Sequence, residues 1–382
     1  MAFWAKPIGF SRHSNLDMLR IIALVLVLSG SLPAAPSARE PANVSSTLPD
    51  MASSPKTVTV AQLVEMVEAA KDKSDEEAAE AIEHLELRER VSSPEMAKLS
   101  EELPGAKSKA ALMAVGDASV FLDPPQSEML DKAAPDAAEQ QRIVSRAVDY
   151  LKTIIPKLPD FYATRITNLF KVVWTPQDKQ GTHQPGALHL TGKFQARVLY
   201  RSGKEVVRAD GAEQSGLITR GTFGPILSIV IMDNLRSPMQ WHGWEKGPNG
   251  AMAVFEFHVP QKESNYGVSF PTGGLPVPRP TGYHGELGID PDTGTILRLV
   301  LQSDPVMGFH AVEHADILLE YGSVEIGGKT YTCPARGVSM STARSQPMGI
   351  VGRRKVNALI LLDDVVFTDY HVFRSEMRIL PD

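Results

Sequence analysis

The residues most suggestive of catalysis are His310, Glu313 and His314, in the string His-Ala-Val-Glu-His. On a helix, the two histidines would lie one turn apart and bind zinc, with the glutamate as general base. The flanking residues favour a strand instead, because Met-Gly precedes the string and Ala-Asp-Ile-Leu-Leu-Glu-Tyr follows it. On a strand the histidines would stand roughly 13 Å apart at about 3.3 Å per residue. We therefore expect no metal here and keep a metal-dependent hydrolase as the alternative function.

Other motifs for nucleophilic or cofactor chemistry do not occur in the sequence. Cys333 is the single cysteine, which excludes an intrachain disulfide and a multi-cysteine zinc site. We expect a half-buried thiol, with a nucleophile activated by one of the ten histidines as the alternative. The sequence contains neither the G-x-S-x-G string of serine hydrolases nor a glycine-rich phosphate loop. His258 and His284 lie in strand-like runs and are expected to be hydrogen-bonded residues of a sheet. We predict no catalytic residue and no cofactor.

The most apolar internal segment, residues 221–237, has a helical period that interrupts a strand-rich region. Shortly after it, two of the four tryptophans flank His242 and Gly243. In a regular strand, Trp241 and Gly243 would share one face and His242 and Trp244 the other. We predict that helix and tryptophans present a hydrophobic ligand site, with ordinary core packing as the alternative. The predicted site residues are Phe223, Ile226, Leu227, Val230, Ile231, Trp241 and Trp244.

The N-terminus has the charge and hydropathy order of a secretory signal peptide. Three basic residues precede the apolar run at 21–28, and small residues and prolines follow it up to Ala38. The run is far shorter than the roughly 20 residues that a membrane-spanning helix needs. We expect residues 1–38 to be removed, leaving a periplasmic or extracellular protein without a transmembrane span. An uncleaved anchor is the alternative, and Met18 is an alternative start.

Charge and periodicity divide the rest of the chain. Residues 39–135 contain 10 basic and 19 acidic side chains, whereas residues 136–382 contain 26 and 25. We predict a mobile leader at 39–56, an acidic helical module of four short helices at 57–123, a linker at 124–136 and a strand-rich domain at 137–382. The capping-box pair Ser74 and Glu77 begins the second of these helices. The module and the domain are expected to fold as separate units.

Closely spaced turn signals dominate the C-terminal domain after a helix of about 20 residues. Ser202-Gly203, Asp290 to Gly294 and Gly327-Gly328 each join two strand-like runs. Asp363-Asp364 interrupts a longer run in which we expect two strands. The pattern predicts ten to twelve antiparallel strands and lacks the strand-helix alternation of a parallel sheet. We predict an α+β fold whose large sheet is strongly curled into an incomplete barrel, with one or two helices on its concave face.

Two resemblances accompany this pattern. The phrases HGELGIDPDTGTILRLVLQ and ADILLEYGSVEIGGKTYTCPARGVSMS are similar to a family of secreted bacterial proteins without an assigned function, from about Thr59 to the C-terminus. The order of elements from about Ala138 to Leu380 resembles the half-barrel of bacterial outer-membrane lipoprotein carriers and sigma-factor regulators. The second resemblance implies a hydrophobic cavity that carries a lipid or lipoprotein.

These observations predict an exported, non-enzymatic protein of the cell envelope. Its hydrophobic surface or cavity would bind a lipid, a lipoprotein or a protein partner. A sheet filled by its own side chains, with binding left to the acidic helices, is a further possibility. The net charge of −6 gives no reason to expect a nucleic-acid partner. The alternative is an envelope hydrolase that uses His310, Glu313 and His314.

Overall fold

A computed structural model describes most of the chain from residue 55 to residue 373. The described ranges are 26–29, 55–172, 186–208, 216–218, 222–235, 238–270, 277–305, 312–345 and 357–373. The helices of these ranges are α1 (Val60–Ala70), α2 (Asp75–Glu83), α3 (Ser93–Glu102), α4 (Ala106–Ala118), α5 (Ala137–Ile154) and α6 (Pro225–Asp233). The first strands are β1 (Leu26–Ser29), β2 (Lys56–Val58), β3 (Leu85–Leu87), β4 (Phe161–Val172), β5 (Leu188–Arg201), β6 (Lys204–Arg208), β7 (Gly216–Ile218) and β8 (Gln240–Gly247). The remaining strands are β9 (Gly250–Val259), β10 (Gly267–Phe270), β11 (Val277–Pro280), β12 (Tyr283–Ile289), β13 (Ile296–Ser303), β14 (Val312–Ile326), β15 (Lys329–Ser345) and β16 (Asn357–Val372).

The four helices predicted for the helical module are α1 to α4. The Ser74 hydroxyl accepts a hydrogen bond from the Glu77 amide, and the Glu77 carboxylate accepts one from the Ser74 amide, which completes the predicted capping box. Leu63, Ile82 and Leu112 are among the buried side chains of the module's own apolar cluster. The parallel pair β2 and β3, which the sequence did not predict, closes one side of the module.

The large sheet has ten strands in the order β6-β5-β4-β16-β15-β14-β13-β12-β9-β8, and every neighbouring pair is antiparallel. Gly327 and Gly328 form the predicted two-residue turn, with φ of 62° and 78°. The acidic pair Asp363-Asp364 does not separate two strands, as predicted, but lies inside the single strand β16. Asp364 accepts a hydrogen bond from Arg336 Nε at 3.2 Å, and Asp363 lies in the electrostatic field of buried Arg165. Each acidic residue therefore has a cation within the sheet, and no turn is needed.

Both faces of this sheet are covered. Leu299, Leu301 and Ile317 pack on one face against α5 and α6, which we call the α5/α6 face. Val300 and Leu318 alternate with them and pack on the opposite face against α4, which we call the module face. The prediction of a strongly curled, barrel-like sheet is wrong: the sheet is open and not strongly curled. Since the helical module hides the second apolar face, the sheet does not have to curl to bury it.

The predicted linker lies along the edge strand β8. The Leu130 amide donates to the Trp244 carbonyl, and the Lys246 amide donates to the Glu128 carbonyl, each at 2.9 Å. Met129 and Glu245 thereby form an antiparallel bridge. Residues 128–130, which belong to the segment that connects the two parts of the chain, thus cover part of the unpaired edge of β8.

A second, four-stranded sheet has the order β11-β10-β1-β7. Its strand Leu26–Ser29 comes from the predicted signal peptide, whose other residues, like most of the predicted leader, lie outside the described residues. Among the residues that the structure describes, no helix combines the length and hydropathy needed to cross a membrane.

Candidate functional site

The predicted hydrophobic stripe lies in the interior of the protein. Phe223 contacts Phe161 and Phe367 with ring centroids 5.3 Å away in each case. The α6 residues of the stripe belong to the same apolar cluster as α5 and the α5/α6 face of the sheet, and they are all buried: Ile226, Leu227, Val230 and Ile231. Helix α6 is present as predicted, but the stripe that marks it in the sequence contacts the protein's own core.

Two small cavities lie in the described interior of the protein. A cavity of about 30 Å³ lies between α5, Leu227 and Cys333, and another of about 10 Å³ lies beside Arg165 and Thr222. A cavity needs about 10–15 Å³ to hold one water molecule, whereas ligand pockets enclose roughly 300–1,000 Å³. These two cavities have room for one or two water molecules and are too small for an acyl chain.

The two predicted tryptophans lie on the same face of β8 and not on opposite faces. A β-bulge between Trp241 and Gly243 adds one residue to β8, so that the alternation of side chains shifts. The two indole rings meet edge to face, 5.0 Å apart. Trp244 is buried and donates from Nε1 to the Ala133 carbonyl at 3.0 Å, whereas Trp241 is half-buried. The pair packs at the end of the core rather than forming an exposed aromatic lip.

The exposed apolar residues of α6 are at its C-terminal end. Met232 is 51% exposed and Leu235, just beyond the helix, is 63% exposed, the two highest values among the large apolar side chains of the described residues. Between them, buried Asp233 accepts hydrogen bonds from the Tyr283 hydroxyl and the Asn265 amide, both at 2.9 Å. Burial and the charge of Asp233 hold the pKa of Tyr283 far above its usual range. These bonds fix the helix end while Met232 and Leu235 face solvent.

The string around His310 does not provide a helical zinc motif in the described residues. Glu313 and His314 belong to strand β14, in agreement with the predicted strand context, and His310 lies outside the described residues. Cys333 is fully buried, more than the predicted half-buried thiol, and burial raises its pKa to about 12. A thiol with such a pKa is not a nucleophile at neutral pH.

A comparison with protein-family models, curated proteins and solved structures finds no match to this chain.

A cluster that the sequence did not predict lies on the module face of the sheet. His242 is the extra residue of the bulge in β8, and its Nδ1 atom lies 2.6 Å from Oε1 of Glu256 on β9. Glu286 of β12 lies directly opposite Glu256. Ligand atoms of the three side chains lie within 4.8 Å of one another. The pairing of three strands brings these side chains together, and no spacing of residues in the sequence predicts the cluster.

Glu286 also belongs to a buried ionic network. Its Oε2 atom accepts hydrogen bonds from Arg90 at 3.1 Å and from Arg298 at 3.2 Å. Arg298 forms a two-pronged contact with Glu245, at 2.7 and 3.0 Å. Farther along the module face, Arg336 contacts a second group of acidic side chains: Asp117, Glu320 and Asp364. Together the two groups connect the helical module to six strands of the sheet: β8, β12, β13, β14, β15 and β16.

Proposed function

We propose that this chain is an exported, non-enzymatic protein of the cell envelope that contacts a protein or lipoprotein partner through the C-terminal end of α6. As the resemblance to secreted bacterial proteins implies, the proposed location of the mature chain is the periplasm or the outside of the cell. The hydrolase that would use His310, Glu313 and His314 is the less supported alternative.

The proposal rests on Met232 and Leu235, two exposed apolar side chains at the C-terminal end of α6, where hydrogen bonds hold the backbone. Single exposed apolar residues are common on soluble proteins and need no explanation. Here the two most exposed large apolar side chains of the described residues are three positions apart, beside the anchored carboxylate of Asp233. The hydrogen bonds of Asp233 hold the backbone at this position, which lowers the entropy that a partner's binding would cost there.

The water-sized cavities favour a surface contact over an enclosed lipid. An acyl chain under α6 would have to displace side chains such as Ile226 and Val230 from a packed interior. A partner that covers Met232 and Leu235 leaves that interior unchanged. The helix therefore serves as a platform whose buried side holds the fold and whose exposed end meets the partner.

Site-specific photo-cross-linking tests the proposal. A photoreactive amino acid replaces Leu235 in one variant and Leu190, which is 45% exposed on β5, in the matched control. In cells that produce the protein, irradiation is expected to give a discrete adduct from position 235 and none from position 190. Equal labelling at both positions, or no adduct at 235, would overturn the proposed contact.

A further inference from the structure

The cluster formed by His242, Glu256 and Glu286 offers one nitrogen and two carboxylate ligands from three adjacent strands. We propose that it binds a divalent first-row transition-metal ion, for which Zn²⁺ is the probe. Imidazole together with carboxylate is a donor set that suits such ions, and open positions would be filled by water. This inference goes beyond the proposed function and does not depend on it.

The backbone of β8 is irregular at His242, which is the extra residue of the bulge and has no partner in the pairing of β8 with β9. A regular strand would place His242 and Trp244 on one face, and the bulge separates them. With the bulge, both tryptophans pack on the α5/α6 face and His242 meets Glu256 on the other. Bulges are frequent beside functional sites because they re-aim a side chain in this way.

The charges around the cluster also favour a bound cation. Glu256 and Glu286 are direct cross-strand partners, and like charges in such positions repel each other. Arg90 and Arg298 both donate to Oε2 of Glu286, which leaves its Oε1 atom for another ligand. Together with buried Glu245, the group holds three carboxylates against two guanidinium groups. A bound cation would compensate the remaining negative charge and the repulsion between the opposed carboxylates.

The distances between the ligand atoms of the cluster are close to those around one zinc ion. Zinc bonds to nitrogen and carboxylate oxygen are about 2.0–2.2 Å long, so two ligands of one ion are at most about 4.4 Å apart. The three ligand atoms already lie within 4.8 Å of one another. Glu256 is half exposed and His242 is partly exposed, so small rotations of these side chains can close the remaining gap. Glu286 is held in place by its two arginines and would act as the fixed ligand.

Equilibrium titration of the purified protein, prepared without a polyhistidine tag, tests the site with Zn²⁺ alone. We expect saturable binding of one ion per chain, weakened at least about tenfold in His242→Ala and in Glu256→Gln. His189→Ala is the matched control, because His189 lies 3.7 Å from Glu83 in another exposed pair on the module side of the chain. This control is expected to bind Zn²⁺ like the unaltered protein.

A Co²⁺ titration gives a second readout, the visible absorption of the bound ion, which a change in protein stability would not produce. Visible absorption bands of Co²⁺ in a nitrogen-oxygen site are expected with the unaltered protein and with His189→Ala, and they should disappear in His242→Gln. Absence of saturable binding would overturn the proposal. So would binding that survives in both cluster variants or is lost only in His189→Ala.

Discussion

Arg90, between α2 and α3, donates a hydrogen bond of 2.5 Å to Glu245 of strand β8. The two side chains are only 7% and 1% exposed. Burial by itself would raise the pKa of Glu245, but the hydrogen bonds and charges of Arg298 and Arg90 lower it below its usual value. The helical module therefore supplies a cation that the interior of the sheet needs.

Replacement of Arg90 should be strongly destabilising. In Arg90→Ala, Glu245 remains buried with one of its two cations missing, and breaking a buried pair in this way costs about 3–5 kcal/mol. Chemical denaturation should show this loss in the free energy of unfolding. The control is Arg142→Ala, which removes an exposed ion pair with Glu139 and should change stability by less than about 1 kcal/mol. Similar, small effects of both changes would show that the buried network does not support the fold.

Removal of the helical module should prevent stable folding of the remainder. A fragment that begins at Ala138 exposes the apolar residues of the module face that α4 covers, and it also leaves Arg336 without Asp117. We expect aggregation in size-exclusion chromatography and no cooperative thermal unfolding. The sequence-based hypothesis of separate folding units predicts the opposite result, a soluble fragment with a sharp unfolding transition.

The buried carboxyl of Asp363 should make stability depend on pH. Burial raises its pKa to about 7, although Arg165 and Lys171 act in the opposite direction. Between about pH 4 and pH 7 the folded state thus keeps a proton that the unfolded state loses, so this group makes stability fall as the pH rises. Asp363→Asn cannot ionise and removes this cost.

Measuring the free energy of unfolding at pH 4 and at pH 8 tests this assignment. The difference between Asp363→Asn and the unaltered protein should shift by about 2–4 kcal/mol in favour of the variant at the higher pH. Asp292→Asn, in an exposed turn, should show no such shift. Parallel pH profiles for all three proteins would mean that Asp363 ionises normally in the folded state.

The stripe of α6 should behave as core. Ile226 is fully buried, so Ile226→Ala should lower the free energy of unfolding by about 2–5 kcal/mol. The unaltered protein should not bind a fluorescent fatty-acid probe, because the cavity between α5 and Leu227 is only about 30 Å³ and too small for an acyl chain. A small stability loss together with saturable probe binding would instead indicate an open acyl-chain cavity.

Local signals in the sequence predicted local structure well. Ser74 and Glu77 announce a helix start because their capping contacts span only three residues. Gly327 and Gly328 announce a tight turn because few other residues adopt two successive positive φ angles. The helical spacing of Ile226, Leu227 and Val230 likewise identifies α6.

Features that depend on distant residues could not be read in this way. The sequence favours a turn at Asp363 and Asp364 because it does not show which cations accompany these two residues. In the structure those cations, Arg165 and Arg336, come from other strands. The shape of the sheet was mispredicted because nothing in the sequence states that α4 covers its second face. The cluster at His242 depends on the pairing of β8, β9 and β12, and no spacing of residues in the sequence predicts which strands become neighbours.

Contact with an envelope partner through Met232 and Leu235 can be measured by co-sedimentation with envelope particles from cells that produce the protein. The double variant M232S/L235S should unfold like the unaltered protein, since both side chains are exposed, but should remain in the supernatant. The unaltered protein and the control L190S/V206S, which removes two other exposed apolar side chains, should sediment with the particles. Sedimentation of M232S/L235S to the same extent as these two proteins would show that Met232 and Leu235 do not make the contact.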